Sequence, residues 1–328
     1  MFKGLITMKK ITQYIIIAMS LVSITSSTNA ENYKFNNENL AIKNELVKDF
    51  INEFSKEKVY TKNELNKIFS NTVIRKKKII KAQNNQAEKT LTWEKYKNIV
   101  VTKTRINAGK VFLYKYSNLL DKVEREFKVD KEVITAILGV ETNYGFKKGD
   151  YKAIDSLTTL SFEYYPRGKF FKNELKEFLK YSKKNNINPL SVESSWAGAI
   201  GYPQFIPSSI NSYGVDYDKD GKIDLVNSVE DSVASVANYL RKNGFVFNKF
   251  YYDRINISSN IKTSTGLKLD KDCSIIKLNN KYCDDKFKIF KLDNETYIGS
   301  KNFYSITMYN RSNLYAAAVL EIAKSLKN

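Results

Sequence analysis

The 328-residue chain contains no histidine, only two cysteines, four prolines and 13 glycines. Without histidine there is no Ser-His-Asp or Cys-His nucleophile, no imidazole acid or base and no histidine-ligated zinc. General acid/base chemistry falls to Asp, Glu, Tyr, Lys or Cys. Long apolar runs are also missing. The most apolar stretch, Tyr14 to Ile24, is about a dozen residues, short of the roughly 20 that span a bilayer. What the chain does have is 42% hydrophobic and 13% aromatic residues, too many for a disordered polymer. Its length suggests about two domains.

Charge is the next feature. Lys+Arg number 54 against 35 Asp+Glu, a formal net charge of +19. Lys9 and Lys10 after an internal Met8, the apolar stretch to Ile24 and the small residues at Thr28-Asn29-Ala30 read as a cleaved export signal over residues 1–30, an uncleaved anchor being the alternative. No cysteine stands near that cut to accept a lipid. Cleavage removes Lys3, Lys9, Lys10 and no acid, taking the charge from +19 to +16. Such a surplus favours an anionic partner. For an exported protein, that partner is an acidic extracytoplasmic polymer rather than nucleic acid. Cys273 and Cys283 suit a disulfide in that compartment, with two buried thiols as the alternative.

The pattern along the chain is mainly helical. Leu46, Phe50, Ile51 and Phe54 recur at helical spacing, and Thr61-Lys62-Asn63-Glu64 forms a capping box. Helical spacing continues from 108 to 245, with loops at Gly145–Gly149, Tyr165–Gly168 and Ser194–Pro207. Residues 246–311 turn to short Tyr-, Phe-, Ile- and Thr-rich runs such as Phe287–Leu292 and Phe303–Met308, which read as strands. Leu314–Leu326 returns to helix. The reading is α+β: an N-terminal helical region 31–107 joined by a C-terminal helix 312–328, a core 108–245, and a β-rich subdomain 246–311.

Asp130 stands where it can cap a helix running from Lys131 to about Glu141. Val133, Ile137 and Val140 share one stripe; Ile134, Leu138 and Glu141 share the next. A carboxyl in apolar surroundings has its charged form disfavoured, so Glu141 is a candidate proton donor to a glycosidic oxygen. A glutamate facing water at a helix end is the alternative reading of the spacing alone.

Five segments stand in order: Glu-Thr-Asn-Tyr-Gly (141–145), Leu-Ser-Phe (160–162), Tyr-Pro-Arg (165–167), Ser-Trp-Ala-Gly-Ala-Ile-Gly-Tyr-Pro-Gln-Phe-Ile-Pro-Ser-Ser (195–209) and Ser-Val-Ala-Asn-Tyr-Leu (235–240). With Trp93–Tyr96 and Tyr309-Asn310 they closely resemble the membrane-bound lytic murein transglycosylase B family. The resemblance runs from about residue 45 to the C-terminus. It implies a lysozyme-like core and cleavage of the β-1,4 bond between N-acetylmuramic acid and N-acetylglucosamine of peptidoglycan without added water. Glu141 matches the single catalytic glutamate, acting as acid and then as base while the muramyl C6 hydroxyl closes onto C1. A second protein carboxylate is unnecessary, unlike in paired-carboxylate glycosidases. Ser195 matches the serine that orients the carboxylate. Gln204 matches a substrate-binding glutamine, and Tyr96, Tyr239, Tyr309, Asn310 and Tyr315 match residues lining the groove. Arg167 suits a lactyl or peptide carboxylate, a surface salt bridge being the alternative. The run Ala197–Gly201 has little side-chain bulk, suiting either close approach of a sugar chain or a tight buried turn.

Asp216, Asp218 and Asp220 with Gly221 open an EF-hand-like loop, in which Lys222 offers its backbone carbonyl. Asn227 stands where a bidentate Glu is usual. The resemblance implies a lengthened loop, 216–231, closed by Asp231, with Glu230 the rival. Calcium, or sodium in its place, is the expected structural occupant; no organic cofactor is expected. Val226 and Arg311 depart from the family's common Trp and His. The export signal, with no cysteine to take a lipid, gives the periplasm as the expected location. The chain is expected to be a monomer whose partners are peptidoglycan glycan strands and cell-wall or envelope-machinery proteins, with no nucleic acid. Two other functions are open at this level. One is a muramidase using Asp155 or Glu163 to activate water; the other is a catalytically silent peptidoglycan-binding protein.

Overall fold

A computed structural model describes residues 40–84, 91–249, 251–256, 262–272 and 286–327. The expected export signal and both cysteines lie outside these residues. Helices α1 (Glu45–Phe54), α2 (Lys62–Phe69) and α3 (Lys76–Asn84) come first. They are followed by α4 (Trp93–Val100), α5 (Lys103–Lys115), α6 (Ser117–Phe127) and α7 (Lys131–Thr142). Next come β1 (Tyr151–Lys152), α8 (Ala153–Glu163), α9 (Gly168–Lys184), β2 (Glu193–Ser194), α10 (Pro207–Tyr213) and α11 (Val229–Lys242). The last elements are β3 (Tyr252–Arg254), β4 (Lys288–Leu292), β5 (Glu295–Gly299), α12 (Lys301–Tyr309) and α13 (Asn313–Lys327). The architecture is mainly helical α+β.

The chain forms two compact units. Among the described residues, one takes 40–84 together with 145–232; the other takes 91–144 and those from 233 onward. These lines differ from the segments expected from sequence. Residues 108–245 are shared between the units, and α13 packs on α4, α5, α7 and α12 of the second unit. Burial, rather than order along the chain, selects partners.

In the first unit, α8 packs on α9, and the ring of Phe50 gathers Phe54, Phe69 and Phe162 at centroid distances of 5.5, 5.8 and 5.8 Å. The buried stripe of α1 is Val47, Phe50, Ile51 and Phe54, while Leu46 is exposed, contrary to expectation. Val47 completes the i, i+3, i+4, i+7 series that Leu46 misses by one position. The Thr61 capping box forms as read. Strands β1 and β2 make one antiparallel pair.

In the second unit, β5 lies between β3 and β4, both antiparallel to it. The β4–β5 turn, Asp293-Asn294, presents the Asp293 carboxylate to the backbone N–H groups of Trp93 and Glu94, capping α4. The run Phe303–Met308, read as strand, belongs to helix α12. Ser300 caps it by accepting from the N–H of Asn302, and Asn302, Phe303 and Ile306 bury at helical spacing. No helix among the described residues is long and apolar enough to cross a membrane.

Candidate active site

Helix α7 is buried from Val133 through Val140, so its apolar surface surrounds it rather than forming stripes. Asp130 occupies the N-cap position without capping; its carboxylate accepts instead from the Tyr251 hydroxyl. At the other end Asn143 and Tyr144 take left-handed backbone (φ +50° and +61°). Their N–H groups return to the carbonyls of Gly139 and Leu138, each at 3.1 Å, which stops the helix. The Tyr144 ring folds back against Gly139, and its hydroxyl donates to the Arg105 carbonyl at 2.9 Å. Glu141 is thereby held in the last turn, half-buried.

Tyr315, fully buried on α13, donates its hydroxyl to Glu141 Oε1 at 2.6 Å. Tyr309 stacks on Tyr315 with centroids 6.2 Å apart and planes 10° apart. Tyr239 meets Tyr309 edge-on at 4.9 Å and donates to the Met308 carbonyl at 2.7 Å. Burial, and then the negative charge of Glu141, holds the Tyr309 and Tyr315 phenols well above their ordinary values. Both remain protonated donors at any physiological pH. Tyr96, also buried, acts electrostatically on Tyr315, and Asn310, half-buried, ends α12. The second unit therefore gathers Glu141 with Tyr96, Tyr239, Tyr309 and Tyr315. Tyr96, Tyr239 and Tyr315 are buried framing residues; only Tyr309 and Asn310 keep surface to offer a ligand.

The remaining site residues lie in the first unit. Ser195 Oγ accepts from the N–H groups of Ala197 and Ala199 at 3.3 and 3.1 Å, which leaves its proton for an outside acceptor. The turn after it is internally packed: at Gly201, with φ +73°, a Cβ would stand 2.0 Å from the Leu225 carbonyl oxygen. Gln204 sends its Nε2 to the carbonyls of Lys148 and Gly201 at 3.0 and 2.9 Å, so a ligand contact falls to its amide oxygen. Arg167 is exposed, its guanidinium 4.2 Å from the Phe170 ring centroid. Asp155 is buried and accepts from the Val73 N–H and Arg75 Nε, at 2.8 and 2.9 Å. Glu163 accepts from Asn44 Nδ2 at 3.1 Å and pairs with Lys76 at 2.9 Å. Both carboxylates of the hydrolase alternative are committed to holding the N-terminal helices.

The acidic loop brings carboxylate oxygens of Asp216, Asp218 and Asp231 within 4.8 Å of one another. Asp216 Oδ2 accepts from the N–H of Gly221, whose φ of +88° makes the sharp turn. Asp216 Oδ1 is buried with no hydrogen-bond partner among the described residues. A buried, unsatisfied carboxylate oxygen facing two further carboxylates fits a hard cation with oxygen ligands. Asp231, not the exposed Glu230, closes the loop, holding the N–H groups of Tyr217 and Asp224 at 2.7 and 2.8 Å. Asp220 Oδ1 accepts from the Lys222 N–H at 2.9 Å and stands outside the triad.

Buried charges outside the expected site escaped the sequence reading, Arg105, Glu174 and Lys288 among them. Lys288 on β4 is fully buried. The signal was present: in a strand, Lys288 shares a face with Phe290 and Leu292, while Lys291 points the other way and is exposed.

A half-buried carboxyl framed by tyrosines on a mainly helical α+β fold is an arrangement suited to acid/base cleavage of a polysaccharide. The family model described as the transglycosylase SLT domain matches residues 43–324. The chain is 31% identical over 270 residues to membrane-bound lytic murein transglycosylase B of Escherichia coli, covering 76% of this chain and 73% of that protein. It belongs to this lytic transglycosylase family. Among solved structures, SltB1 of Pseudomonas aeruginosa superposes with a TM-score of 0.80 at 32% identity, over 87% of this chain and 97% of that one. Escherichia coli Slt35 in complex with calcium gives 0.78 at 29%, over 86% and 92%. Pseudomonas aeruginosa SltB3 in complex with NAG-anhNAM-pentapeptide gives 0.78 at 25%, over 88% and 80%.

Proposed function

We propose that this lytic transglycosylase cleaves the β-1,4 bond between N-acetylmuramic acid and N-acetylglucosamine in peptidoglycan, with Glu141 as the only acid/base. The observation that carries the reading is the half-buried Glu141 carboxyl, fixed at 2.6 Å by a buried tyrosine that cannot itself ionise. Glu141 gives its proton to the departing glycosidic oxygen. The muramyl C6 hydroxyl then attacks C1, and its proton passes to the Glu141 carboxylate. The products are a 1,6-anhydro sugar and a free glycan end, with no water consumed and the carboxyl restored. A nucleophile within the same ring suits a site with one carboxylate, since proximity replaces a second group. Ser195 is assigned to the chemistry as an orienting residue, on the resemblance and on its uncommitted proton. Tyr309, Asn310, Gln204 and Arg167 are assigned to the glycan and its carboxylates.

Asp216, Asp218 and Asp231, with Asp220 and the Lys222 carbonyl, are the residues that would hold calcium. Bound there, calcium neutralises crowded carboxylates and braces the loop; it takes no part in bond cleavage. The export signal read at residues 1–30 and the basic charge support a location at the wall in the periplasm.

Digestion of purified sacculi followed by mass analysis tests the reaction. Muropeptides lighter by one water than the hydrolysis products are expected; exclusively reducing, hydrated ends would overturn it. Glu141→Gln separates the enzyme from a silent binder: digestion stops while sacculus binding persists.

A further inference from the structure

Lys288 is fully buried, yet no carboxylate touches it among the described residues. Its Nζ donates to Asn313 Oδ1 at 2.8 Å and to the Gly266 carbonyl at 3.1 Å. It lies 5.2 and 6.0 Å from the ring centroids of Phe290 and Phe303. An ammonium in such a place is costly, and a neutral side chain of the same volume would fill the core at less expense. Burial accordingly pushes its pKa down, to about 8, with Asp270 the charge that opposes the fall. The retained charge calls for a purpose that packing does not supply.

Its partners indicate one. Asn313 is the first residue of α13, and Tyr315 stands two residues further on. Tyr315 reaches Glu141 Oε1 at 2.6 Å, and the segment just before Asn313 carries Tyr309 and Asn310. The Asn313 clamp ties the start of α13 to the sheet through β4 and to the 262–272 segment through Gly266. We propose that Lys288 is a positioning residue for the reaction. It fixes the first turn of α13 so that the Tyr315 hydroxyl meets the Glu141 carboxyl, without itself touching substrate. The proposal rests on Glu141 being the acid/base.

Three variants test it on the full chain: Lys288→Met, Asn313→Ala and Asn313→Asp, with Glu141→Gln alongside. Lys288→Met keeps the volume and removes the clamp. A fall in kcat of about tenfold with KM within about twofold is expected, since sub-ångström misplacement acts on the reacting geometry. Thermal stability is unchanged or raised, which a merely structural lysine would not show. Asn313→Ala falls equally, and the double variant falls no further than either single one. Asn313→Asp keeps an acceptor for the ammonium and retains wild-type turnover. If Lys288→Met is folded with unchanged kcat, or if the two losses multiply, the proposal is overturned. Should Lys288→Met not fold, the Asn313 pair decides: equal activity of the Ala and Asp variants overturns it, and a loss confined to Ala supports it. Activity surviving in Glu141→Gln would overturn the underlying reading instead, a result distinct from the others.

Discussion

The two units differ in how some of their charges are met. In the first, lysines of α9 are matched with carboxylates. Along α9, Lys172 meets Glu53 at 3.0 Å, Lys176 meets Glu53 and Glu57 at 2.8 and 3.1 Å, and Lys183 meets Glu64 at 2.8 Å. Buried Asp155 has Arg75, and the acidic loop covers most of its oxygens with backbone N–H groups. In the second unit two buried cations are held by neutral groups among the described residues. Lys288 donates to an amide and a carbonyl, and buried Arg105 donates to the Val100 carbonyl. Matched charges contribute modestly to stability and are replaceable. A buried charge without a counter-ion destabilises the fold, so its retention marks a task. Glu141 adds a further cost by lying at the C-terminal, negative end of α7. Both groups proposed to act in proton transfer or its positioning, Glu141 and Lys288, belong to the second unit.

The sharpest way to break this contrast is Glu141→Gln. Loss of general acid/base catalysis should lower kcat on soluble glycan strands by at least about 10³-fold. Melting temperature should hold or rise, because the cost of the charge disappears. A variant that melts earlier and keeps its turnover would place Glu141 among the structural carboxylates.

Lys288 supplies the next largest effect. Its pKa is low in the folded chain, about 8, and ordinary in the unfolded one. Between these values the unfolded state binds more protons, so stability rises with pH. The wild type minus Lys288→Met difference should therefore be least favourable below pH 8. It should improve through the window up to the ordinary lysine value, by about 3 kcal/mol at most. The neutral amine keeps two N–H bonds for its two acceptors, so the gain does not break the clamp. A flat difference in denaturant midpoints between pH 7 and 10 would show that the ammonium is not destabilised.

These features were unevenly legible. The Thr61 capping box and the opening of the acidic loop follow from spacing within a few residues, where one element fixes the geometry. Glu141 and the closing Asp231 came from the resemblance; spacing alone allowed a water-facing glutamate. The ordered motifs gave the family. Lys288 was missed although it shares the Phe290 and Leu292 face of β4, because its hydrogen-bond partners Asn313 and Gly266 lie far off in the chain. The strand reading of Phe303–Met308 failed for a different reason. Aromatic and β-branched residues suit either state, and the Ser300 cap, not the composition, decides for helix. Tyr239 and Tyr315 were read as groove residues because they match groove-lining positions of the family the chain resembles. Their hydroxyls are instead spent on Met308 and Glu141.

The acidic loop tests the first unit's half of the contrast. Calcium at about 100 times its dissociation constant should stabilise the wild type by about 2.7 kcal/mol. Asp216→Asn, which removes one charge from the triad and alters the buried oxygen pair, should abolish most of that response in a thermal melt. Turnover at a temperature where both proteins are folded should change little. A large kcat loss on chelation at that temperature would give the loop a catalytic part.

The smallest effect belongs to the α9 ladder, and it probes whether matched charge is as replaceable as argued. Hydrogen bonds from Lys176 and Lys172 push the Glu53 pKa down, to about 2. Glu53 is half-exposed, so solvent screening leaves the pairing worth no more than about 1 kcal/mol. A depressed carboxyl contributes stability above its unfolded value and loses it as pH falls through the folded one. Lys176→Met should thus cost under about 1 kcal/mol at pH 7 and less near pH 2, where Glu53 is about half protonated in the folded state and largely protonated in the unfolded one. At about 1 M salt the Debye length falls to about 3 Å, and the neutral-pH cost should shrink too. A cost that persists undiminished at low pH and high salt would come from the lysine stem packing beside Glu57 rather than from its charge. The first unit would then owe its stability to burial, as the second does, and charge matching would be a consequence of its surface composition.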